Sequence, residues 1–585
     1  MNFPSGQNII LVFDSERREW LYFRNPKNIY TVYDKGSVID TLYEIENLCK
    51  AGNYHAAGFI SYEAASAFDP ALVTSKPTDF PLLWFGIYED PEVFKFPPPD
   101  RYVPLNLVWT PTISDMEYAD AIKKIKNYIR NGDTYQVNFS YRLTTRDNYD
   151  PRELFIQMIH AQGYGFGAFV NTDEWIICSA SPELFFRLDN DNLESRPMKG
   201  TRERGLCSGQ DLAHRDWLMN SDKDKAENLM ILDMVRNDMG RIARTGSVKT
   251  RDIFSIEKYP TVWQMTSTVA GKTTANITNI ISALFPAASI TGAPKARTMD
   301  IIRELESTPR KIYTGVIGYF SHDRKAQFNI AIRTALFNKH NKTTEYGVGG
   351  GIVWDSVNNA ELMESRIKAR VLTHRLPKFS LLETILWTPG EGYFLLDAHL
   401  KRLSSSADYF SRSVEIRELC RQIEGLTENF SPHPHRVRVL VHLDGKPVLE
   451  YSKITEPDQD YRIRLARTPV NAAEDVFLYH KTTHRKVYER ALEQAPGYDD
   501  VLLYNSNREI TESCIANIVV DMDGMLFTPP VECGLLAGTY RNHLLDQGKI
   551  KERIITIEEL RQCPIIYLVN SVRGMWRPRL LEDQK

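Results

Sequence analysis

The pattern that most constrains the fold of this chain changes near residue 376. Before that point, strand-like runs such as GFGAFV, ELFFRL and FNIAIRTALF alternate with helical patterns over residues 114–131, 212–245, 291–308 and 358–375. Long strands mixed with helices predict a large α+β domain. Pro377 ends the last of these helices, because proline has no amide hydrogen to donate within a helix. We therefore predict two domains, residues 1–375 and 376–585, with almost no linker between them.

The second predicted domain begins a new set of elements. It opens with SLLETILW, continues with a helix over residues 398–410 and then carries the run RVRVLVHLDGKPVLEY. Two strand-like halves flank Asp444-Gly445 in this run, and an Asp-Gly pair favours the tight turn of a β-hairpin. The composition, 42% hydrophobic and 25% charged residues, is typical of globular proteins. The sequence therefore predicts an α+β protein in both halves.

Charge, hydropathy and cysteine use exclude several classes of function. A net charge of −3 offers no basic surface for nucleic acid. No apolar run approaches the roughly 20 residues of a membrane span, and the N-terminus lacks the basic segment of a signal peptide. We expect neither a nucleic-acid nor a membrane partner. The seven cysteines are scattered and lack metal-type spacing, so we expect reduced thiols in a cytoplasmic protein.

Three glutamates on two predicted helices are candidate metal ligands. Glu227 lies four residues before Ile231 in an apolar stripe, where a carboxylate is costly unless it is paired or binds a metal. Glu361 and Glu364 are three residues apart and share one helix face. Such carboxylates are suitable ligands for Mg²⁺. Solvated helix faces, with a pair such as Glu364 and Lys368, are the more common explanation.

Three further segments contain groups that are suited to binding an anion. The glycines of GVGGGIVWDS (347–356) allow close backbone approach, in a spacing that does not match a dinucleotide site. SITGAPKART (289–298) predicts a helix start that favours anions, and an ordinary capped helix explains it equally well. Arg333 in NIAIRTALF favours a carboxylate partner, or lies on an exposed strand face.

The run SRPMKGTRER places Lys199 between Pro197 and Gly200, close to two further cations, Arg202 and Arg204. Crowding of positive charge disfavours the protonated form of a lysine. The run is therefore either an ordinary solvated loop or a site that needs a lysine that is hard to protonate.

In their order along the chain, these segments resemble one family. SPELFF, RPMKGT, AENLMILDMVRNDMGR, FPAASITGAPKARTMDIIRELE, YTGVIGY, NIAIRT and YGVGGGIVWDS followed by ELMESRIKA are similar to the motifs of chorismate-utilising enzymes over roughly residues 110–372. The resemblance implies a large α/β sandwich that binds chorismate together with Mg²⁺. Relatives that make anthranilate or isochorismate typically have alanine at the position of Lys199. The lysine instead resembles component I of aminodeoxychorismate synthase.

That resemblance implies a role for each candidate residue. Lys199 would attack C2 of the chorismate ring, the C4 hydroxyl would leave, and ammonia would enter at C4 and displace the lysine. Flanking arginines and Mg²⁺ would activate the amine by disfavouring its ammonium form. Glu183 would be the general acid. The metal ligands would be Glu227 and Glu364, with Glu361 close by, and the implied substrate-binding residues are Thr291, Tyr319, Arg333, Gly349 and Gly350.

Two features of this half depart from its relatives or require a partner. Many relatives have histidine where this chain has Gln264, which leaves no acid–base group at that position. Component I of aminodeoxychorismate synthase, which this half resembles, does not itself hydrolyse glutamine. The resemblance therefore implies a separate glutamine amidotransferase subunit that supplies ammonia, or free ammonia in vitro.

The second domain contains the parts of a pyridoxal phosphate site. Lys481 provides an amine, Glu512 follows a turn on a predicted strand, and Gly538-Thr539 opens an amphipathic segment. A lysine for covalent attachment, a carboxylate for the pyridine nitrogen and a helix N-terminus for the phosphate are what this cofactor requires. A surface lysine and an ordinary turn explain each part taken alone.

Over about residues 379–575, LLDAHLKRLSSSADYF, YHKTTHRKVYERA, REITESCIANIVV and GLLAGTYRNHLL resemble the fold-type IV pyridoxal phosphate enzymes. The resemblance implies that Lys481 holds the cofactor, that Glu512 faces its ring nitrogen, and that Arg402, Gly538 and Thr539 bind its phosphate. KTTHR and LLET are most similar to aminodeoxychorismate lyase, and aminotransferases are the other subgroups. The D-R-G segment that usually opens such domains is missing.

Together the two resemblances imply a bifunctional enzyme of 4-aminobenzoate synthesis, with Mg²⁺ and pyridoxal 5'-phosphate as cofactors. The first domain would make 4-amino-4-deoxychorismate, and the second would eliminate pyruvate from it. The alternatives are a second domain that is an aminotransferase or a catalytically inactive structural module. The sequence leaves the oligomeric state open, including a homodimer through the second domain.

Overall fold

The computed structural model describes residues 3–4, 6–76, 78–97, 105–374, 377–454 and 460–581. These residues form two compact units, Met1–Arg204 with His214–Leu376, and Gly205–Ala213 with Pro377–Lys585. The predicted boundary near residue 376 falls on residues 375–376, which lie outside the described residues. The sequence pattern did not predict that the segment Gly205–Ala213 would belong to the second unit.

The first unit contains twenty strands and nine α-helices among its described residues. The strands are β1 Ile9–Asp14, β2 Glu19–Phe23, β3 Asn28–Val32, β4 His55–Ile60, β5 Leu83–Tyr88, β6 Glu92–Phe94, β7 Thr110–Pro111, β8 Gln136–Thr145, β9 Ala168–Asn171, β10 Trp175–Ser179, β11 Leu184–Asp189, β12 Asn192–Arg196, β13 Met198–Glu203, β14 Lys249–Lys258, β15 Val262–Lys272, β16 Gly292–Ala293, β17 Val316–Ser321, β18 Lys325–Ile330, β19 Thr334–Asn338 and β20 Thr344–Ile352. The helices are α1 Val38–Gly52, α2 Ala65–Phe68, α3 Asp115–Arg130, α4 Pro151–Gln162, α5 Ser208–Asn220, α6 Asp222–Gly240, α7 Ile277–Leu284, α8 Lys295–Leu305 and α9 Asn358–Ala369. Helix α5 begins in the segment assigned to the second unit.

Two antiparallel sheets form the centre of the first unit. One has the order β16-β8-β20-β19-β10-β9-β1-β2-β6, and the other has the order β13-β15-β12-β11-β18-β17-β4-β5-β3. A cluster of buried residues from both sheets, including Val12, Ile177, Phe59 and Ile317, packs between them. Side chains of α1, α6 and α7 cover the outer face of the second sheet, and those of α3, α4 and α8 cover the first. The result is the α/β sandwich that the sequence resemblance implies.

The predicted helices are present, with one difference. The pattern over residues 212–245 forms two helices, α5 and α6, rather than one. Ser221 separates them because its side chain accepts a hydrogen bond from the amide of Asp224 and caps α6. This cap fixes where α6 begins, and α6 carries Glu227 toward the site described below.

The second unit is smaller and has two sheets. Its strands are β21 Leu381–Thr388, β22 Gly392–Tyr393, β23 His435–Val441, β24 Pro447–Lys453, β25 Arg462–Leu465, β26 Asp500–Tyr504, β27 Ile510–Ser513, β28 Asn517–Met522, β29 Met525–Thr528, β30 Lys551–Glu552, β31 Ile565–Asn570, β32 Gly574–Trp576 and β33 Arg579–Leu580. Its helices are α10 Leu396–Tyr409, α11 Ile416–Gly425, α12 Lys486–Glu493, α13 Thr539–Asp546 and α14 Ile557–Gln562. Leu381, Ile385 and Leu403 belong to the core between the first sheet and α10.

The hairpin predicted around Asp444-Gly445 joins β23 and β24, which pair antiparallel with Val441 opposite Pro447. The connection has five residues rather than the two of a tight turn, although Gly445 has the expected left-handed φ of 79°. In the part of the chain that is described, no helix is long and apolar enough to cross a membrane.

Candidate active sites

The first unit contains a cavity of about 130 Å³, where β13 at the end of one sheet approaches β20 of the other. Charged side chains of α6 and α9 complete its wall. The candidate residues from the sequence that line the cavity are Glu183, Lys199, Glu227, Gln264, Arg333, Gly349, Glu361 and Glu364. The fold therefore gathers residues that are more than 180 positions apart in the sequence into one polar site.

Lys199 extends from β13 into this cavity. Its backbone is fixed from outside, because Asn228 donates to its carbonyl at 3.2 Å and Gln264 donates to the carbonyl of Gly200 at 2.8 Å. Its Nζ lies against β20, only 2.4 Å from the position that a Cβ on Gly351 would occupy. Only a glycine in β20 leaves room for the amine in this position.

The pKa of Lys199 is lowered, and burial is the main cause. Glu227 and Glu364 oppose the shift, while Lys368 adds to it. Among the described residues, no carboxylate pairs with Lys199 in a salt bridge, in contrast to Lys368, which pairs with Glu364 at 2.8 Å. Lys199 is therefore easier to deprotonate than an ordinary lysine.

The predicted contribution of the flanking arginines to this shift was wrong. The flanking arginines do not contribute to the main causes, because their side chains are engaged elsewhere. The guanidinium of Arg202 stacks over Trp217 at 4.4 Å, and that of Arg204 over Trp263 at 5.1 Å. Removal from water, with Lys368 as a nearby cation, replaces the arginine crowding that the sequence suggested.

Glu183 is buried immediately before β11 and lines the same cavity. Burial raises its pKa to about 7, and hydrogen bonds from the Ser289 hydroxyl at 2.6 Å and the Met198 amide at 3.4 Å oppose that shift. A carboxyl group with this pKa is partly protonated at neutral pH. Glu183 therefore has the property that a general acid needs.

The three predicted metal ligands line the cavity but are held by protein partners. Glu364 pairs with Lys368, Glu361 accepts from the Ser356 hydroxyl at 2.6 Å, and Glu227 lies 3.9 Å from Lys223. Across the described parts of the chain, no three acidic, histidine or cysteine side chains form a metal-binding group. Mg²⁺ commonly uses one or two carboxylates plus water, so Glu227 and Glu364 fit it in number and type.

Three predicted substrate-binding residues, Thr291, Tyr319 and Gly350, do not line the cavity. Tyr319 packs between the two sheets, and its hydroxyl donates to Asp14 at 2.8 Å. The Thr291 hydroxyl is directed to the carbonyls of Ala287 and Ala288, at 3.1 and 3.3 Å. The structure therefore does not bring the side chains of Thr291 and Tyr319 to the cavity wall.

Arg333 and the glycines of β20 stand where the sequence predicted an anion. Arg333 is buried, adopts a left-handed φ of 50° and donates to the side chain of Gln162. Gly349 lines the cavity, and a Cβ on Gly350 would lie 3.6 Å from both Glu361 and Lys368. A guanidinium and open backbone beside it can hold a carboxylate.

The sequence pattern missed four residues of this site. Lys368 donates to the carbonyl of Gly349 at 3.1 Å as well as to Glu364. Tyr313 and Tyr346 line the cavity in place of Tyr319. Gln136 is fully buried beside Lys199, and neither polar atom of its side chain has a protein partner among the described residues. A buried amide without a partner needs an explanation, and a group bound in the cavity would provide one, but this observation exists only in the structure.

The second unit contains a smaller cavity, of about 60 Å³, lined by all five residues predicted for the cofactor. These are Arg402, Lys481, Glu512, Gly538 and Thr539. Lys481 follows a short 3-10 turn, Val476–Leu478. Its carbonyl accepts from the amide of Leu382, which anchors the lysine to β21.

Charge in this cavity is set by burial. Burial lowers the pKa of Lys481 to about 8, and the positive charge of Arg402 is the next largest cause. Burial also raises the pKa of Glu512 to about 7, although the Tyr488 hydroxyl donates to that carboxylate at 2.8 Å. The amide of Asn517 donates to the other oxygen of Glu512 at 3.1 Å. The amine is therefore easily deprotonated, and the carboxylate is fixed in orientation.

The opposite end of the cavity is a site for an anion. Helix α13 begins at Thr539 with Gly538 as its N-cap, so the first amides of the helix have no intrahelical acceptor. The guanidinium of Arg402 lies beside them and donates to the carbonyl of Ala537 at 3.2 Å. Asn570 and Ser571, which the sequence pattern missed, line the same cavity. This set of donors, with the amine and the carboxylate, fits pyridoxal phosphate.

Comparisons with known proteins match each unit separately. Residues 7–374 match the family described as chorismate binding enzyme, and residues 380–580 match the family described as amino-transferase class IV. Aminodeoxychorismate synthase component 1 of Klebsiella aerogenes is 39% identical over 275 residues, which are 46% of this chain and 60% of that protein. Anthranilate synthase component 1 of Aquifex aeolicus is 36% identical over 268 residues, or 45% and 53% of the two chains.

The chain thus spans about 60% or less of the length of these curated relatives. Among solved structures, anthranilate synthase component I from Streptococcus pneumoniae TIGR4 superposes with a TM-score of 0.53 at 23% identity. The superposition covers 64% of this chain and 94% of that structure, and it shows the fold.

Proposed function

The chain belongs to the chorismate binding enzymes, whose family model covers residues 7–374, and we propose that its first unit converts chorismate and ammonia to 4-amino-4-deoxychorismate. Lys199 is the observation that carries this proposal. Relatives named for aminodeoxychorismate and for anthranilate are 39% and 36% identical, so identity alone does not separate the two reactions. The cavity holds a buried amine with a lowered pKa, and no carboxylate of the described residues pairs with it, as a nucleophile requires.

In this proposal Lys199 Nζ forms a bond to C2 of the ring while the C4–O bond breaks. Glu183 gives its proton to the departing hydroxyl, which leaves as water. Ammonia then forms a bond to C4, the C2–N bond breaks, and the amine of Lys199 is regenerated. The buried position of Glu183, with a pKa of about 7, supports its role as the acid.

The remaining groups of the cavity would hold the substrate. Arg333, Lys368 and the backbone of Gly349 offer positive charge and open backbone for the carboxylates of chorismate. Glu227 and Glu364, with Glu361 close by, would hold Mg²⁺, which would supply positive charge to an anionic substrate. Gln264 donates to the carbonyl of Gly200 and accepts from Thr201 at 3.1 Å, so its role is to hold the backbone that carries Lys199.

For the second unit we propose elimination of pyruvate from that product, which leaves 4-aminobenzoate. Pyridoxal phosphate, when bound, withdraws electrons from the carbon that carries the substrate amine. Lys481 would hold the cofactor and, once released, take the proton from that carbon and pass it to the departing enolpyruvyl group. Glu512 would orient the cofactor through its ring nitrogen, and Arg402 and the start of α13 would hold its phosphate.

Fewer observations support a lyase rather than an aminotransferase than support the cofactor site itself. KTTHR places Arg485 in the same cavity, where its guanidinium stacks over Tyr488 at 4.4 Å. The joining of this unit to one that would make its substrate also supports the lyase. The second candidate is an aminotransferase, favoured by the family match of residues 380–580. A catalytically inactive module is the third.

Two further features belong to this proposal. A separate glutamine amidotransferase subunit would supply the ammonia, as the name component 1 of the relatives suggests. All seven cysteines are free thiols, which supports a reducing, cytoplasmic location.

The test is the product formed by the full chain. The protein is incubated with chorismate, ammonium and Mg²⁺ after loading with pyridoxal phosphate, and products are separated over time. We expect 4-amino-4-deoxychorismate to rise first and 4-aminobenzoate and pyruvate to follow in equal amounts. Anthranilate as the main product would overturn the first assignment. Stable accumulation of 4-amino-4-deoxychorismate would overturn the second, and transfer of its amine to an added keto acid would establish the aminotransferase.

A further inference from the structure

A chain of buried polar groups runs behind the phosphate end of the second cavity. Its members, which we call the Glu383 network, are Glu383 on β21, His399 and Arg402 on α10, and Thr539 at the start of α13. Glu383 and His399 are almost completely buried. Arg402 and Thr539 line the cavity, whereas Glu383 and His399 do not. The proposed reaction makes no direct use of the two buried members.

Glu383 is held as an anion by its neighbours. One oxygen accepts from Arg402 Nε at 2.8 Å, and the other accepts from Arg402 at 2.7 Å and from His399 Nδ1 at 2.7 Å. Burial raises the pKa of Glu383, but Arg402 and His399 lower it more, to about 2. Because Glu383 can only accept, Nδ1 of His399 carries a proton.

The state of the other ring nitrogen then decides what Thr539 can do. His399 Nε2 lies 3.3 Å from the Thr539 hydroxyl. When His399 is neutral, Nε2 has no proton and accepts the only hydroxyl proton of Thr539. Thr539 then presents lone pairs to the cavity, which a phosphate oxygen repels. When Nε2 also carries a proton, it donates to Thr539, and the hydroxyl proton becomes free to bind phosphate.

We propose that His399 is a positioning residue that takes up a proton when the phosphate of the cofactor binds, and so turns the Thr539 hydroxyl into a donor. This inference rests on the proposed pyridoxal phosphate site. The charge balance supports it, because Glu383 pairs with Arg402 at 2.7 Å and so offsets the positive charge that Arg402 would offer to a phosphate dianion. A proton on His399 restores one positive charge directly behind Thr539.

The groups that act on His399 come from three segments. Glu383 from β21 raises its pKa, while Arg402 from its own helix and Lys481 lower it. Burial is the largest influence and holds the pKa below its ordinary value, so the ring is neutral above pH 7 without a ligand. The negative charge of a bound phosphate would raise the pKa of His399 and so favour the protonated ring.

The experiment compares two ligands on the cofactor-free full chain. Pyridoxal 5'-phosphate and pyridoxal can both bond to Lys481, and only the first carries a phosphate. Binding is measured by calorimetry at chosen pH values between about 7.5 and 9. Comparing the binding enthalpy in buffers of different ionisation enthalpy gives the number of protons taken up. Phosphate esters have a second pKa of about 6, so the ligand itself is already a dianion there. Subtracting pyridoxal removes the contribution of Lys481.

We expect uptake of up to about one more proton with the phosphorylated ligand, and an advantage over pyridoxal that falls about tenfold per pH unit. Thr539→Val should abolish the extra proton, and Thr539→Ser should retain it. His399→Gln should also abolish it. If His399→Gln does not fold, the Thr539 pair decides the question.

Equal proton uptake for the two ligands, or an extra proton that persists in Thr539→Val, would overturn the inference and leave the cofactor site intact. A different failure, in which neither ligand binds and borohydride fixes no label on Lys481, would remove the proposed cofactor site and the inference with it.

Discussion

Replacing Gly351 by alanine should displace the reactive amine without disturbing the fold. A Cβ at this position would lie 2.4 Å from Lys199 Nζ and 3.1 Å from the side-chain amide of Gln136. Ordinary contacts are about 3.5–4.0 Å, so the amine must move by about 1 Å or more. The end of a lysine is flexible, whereas β20 pairs with β8 along nine residues, so the lysine gives way.

A misplacement of about 1 Å in a reacting group can cost about 100-fold in rate, or about 2.7 kcal/mol in the barrier. We therefore expect Gly351→Ala to lower the rate of 4-amino-4-deoxychorismate formation about 100-fold. Its melting temperature and its conversion of supplied 4-amino-4-deoxychorismate should stay close to those of the parent chain. The assay follows both products with ammonium as the nitrogen source.

Gly240→Ala is the matched control, because a Cβ at that position meets no atom within 4 Å. It should retain both activities. A Gly351→Ala protein that makes 4-amino-4-deoxychorismate at the parental rate would refute the placement of Lys199. Loss of both activities would show that β20, rather than the lysine, had moved.

Three further predictions concern the first site. Glu183 must be protonated to act as an acid, so the rate of the first reaction should fall as pH rises through about 7. Glu183→Gln should lower this rate about 10²–10⁴-fold and remove the fall in rate at high pH. A profile that keeps this fall in the variant would assign it to another group. Glu227→Gln or Glu364→Gln should sharply lower the rate of the first reaction. A chelator should stop the first reaction and leave the second reaction unchanged. Full turnover of chorismate in excess chelator would exclude a role for the metal. Gln264→Leu should leave the Thr201 hydroxyl and the Gly200 carbonyl without their hydrogen-bond partner, and so destabilise the first unit by about 1–3 kcal/mol in thermal unfolding. The variant should also lower the rate of the first reaction without changing its pH profile. A shifted pH profile would instead make Gln264 part of the proton transfer.

The candidate cofactor residues of the second unit were predictable from the order of motifs that resembles fold-type IV enzymes, because each residue taken alone has an ordinary explanation. Lys481, Glu512 and Arg402 all reach one cavity, together with the start of α13. Glu383 and His399 were not predictable, because a buried glutamate in a strand has no signal until its partners on another element are known.

The position of the aromatic residues in the first site could not be predicted from the sequence. All six residues of β17 are buried, so no alternation of polar and apolar side chains indicates which face Tyr319 presents. Tyr313 and Tyr346 reach the cavity instead, from a segment before β17 and from β20.

The source of the Lys199 shift depends on contacts between distant elements. The sequence places Arg202 and Arg204 next to the lysine, but Trp217 and Trp263 hold their guanidinium groups. Lys368, which is the cation that matters, lies 169 positions further along the chain (368 minus 199). Serine is a common N-cap residue, but the helical pattern continues through Ser221, so the sequence predicted one helix there instead of two.

The central claim is that two buried lysines act in sequence, one in each unit. Its most direct test incubates chorismate, ammonium and Mg²⁺ with Lys199→Ala and with Lys481→Ala, both loaded with pyridoxal phosphate, and measures both products. We expect Lys481→Ala to accumulate 4-amino-4-deoxychorismate without 4-aminobenzoate, Lys199→Ala to form neither, and a mixture of the two proteins to release 4-aminobenzoate. Parental formation of 4-amino-4-deoxychorismate by Lys199→Ala, or release of 4-aminobenzoate at the parental rate by Lys481→Ala, would contradict the claim.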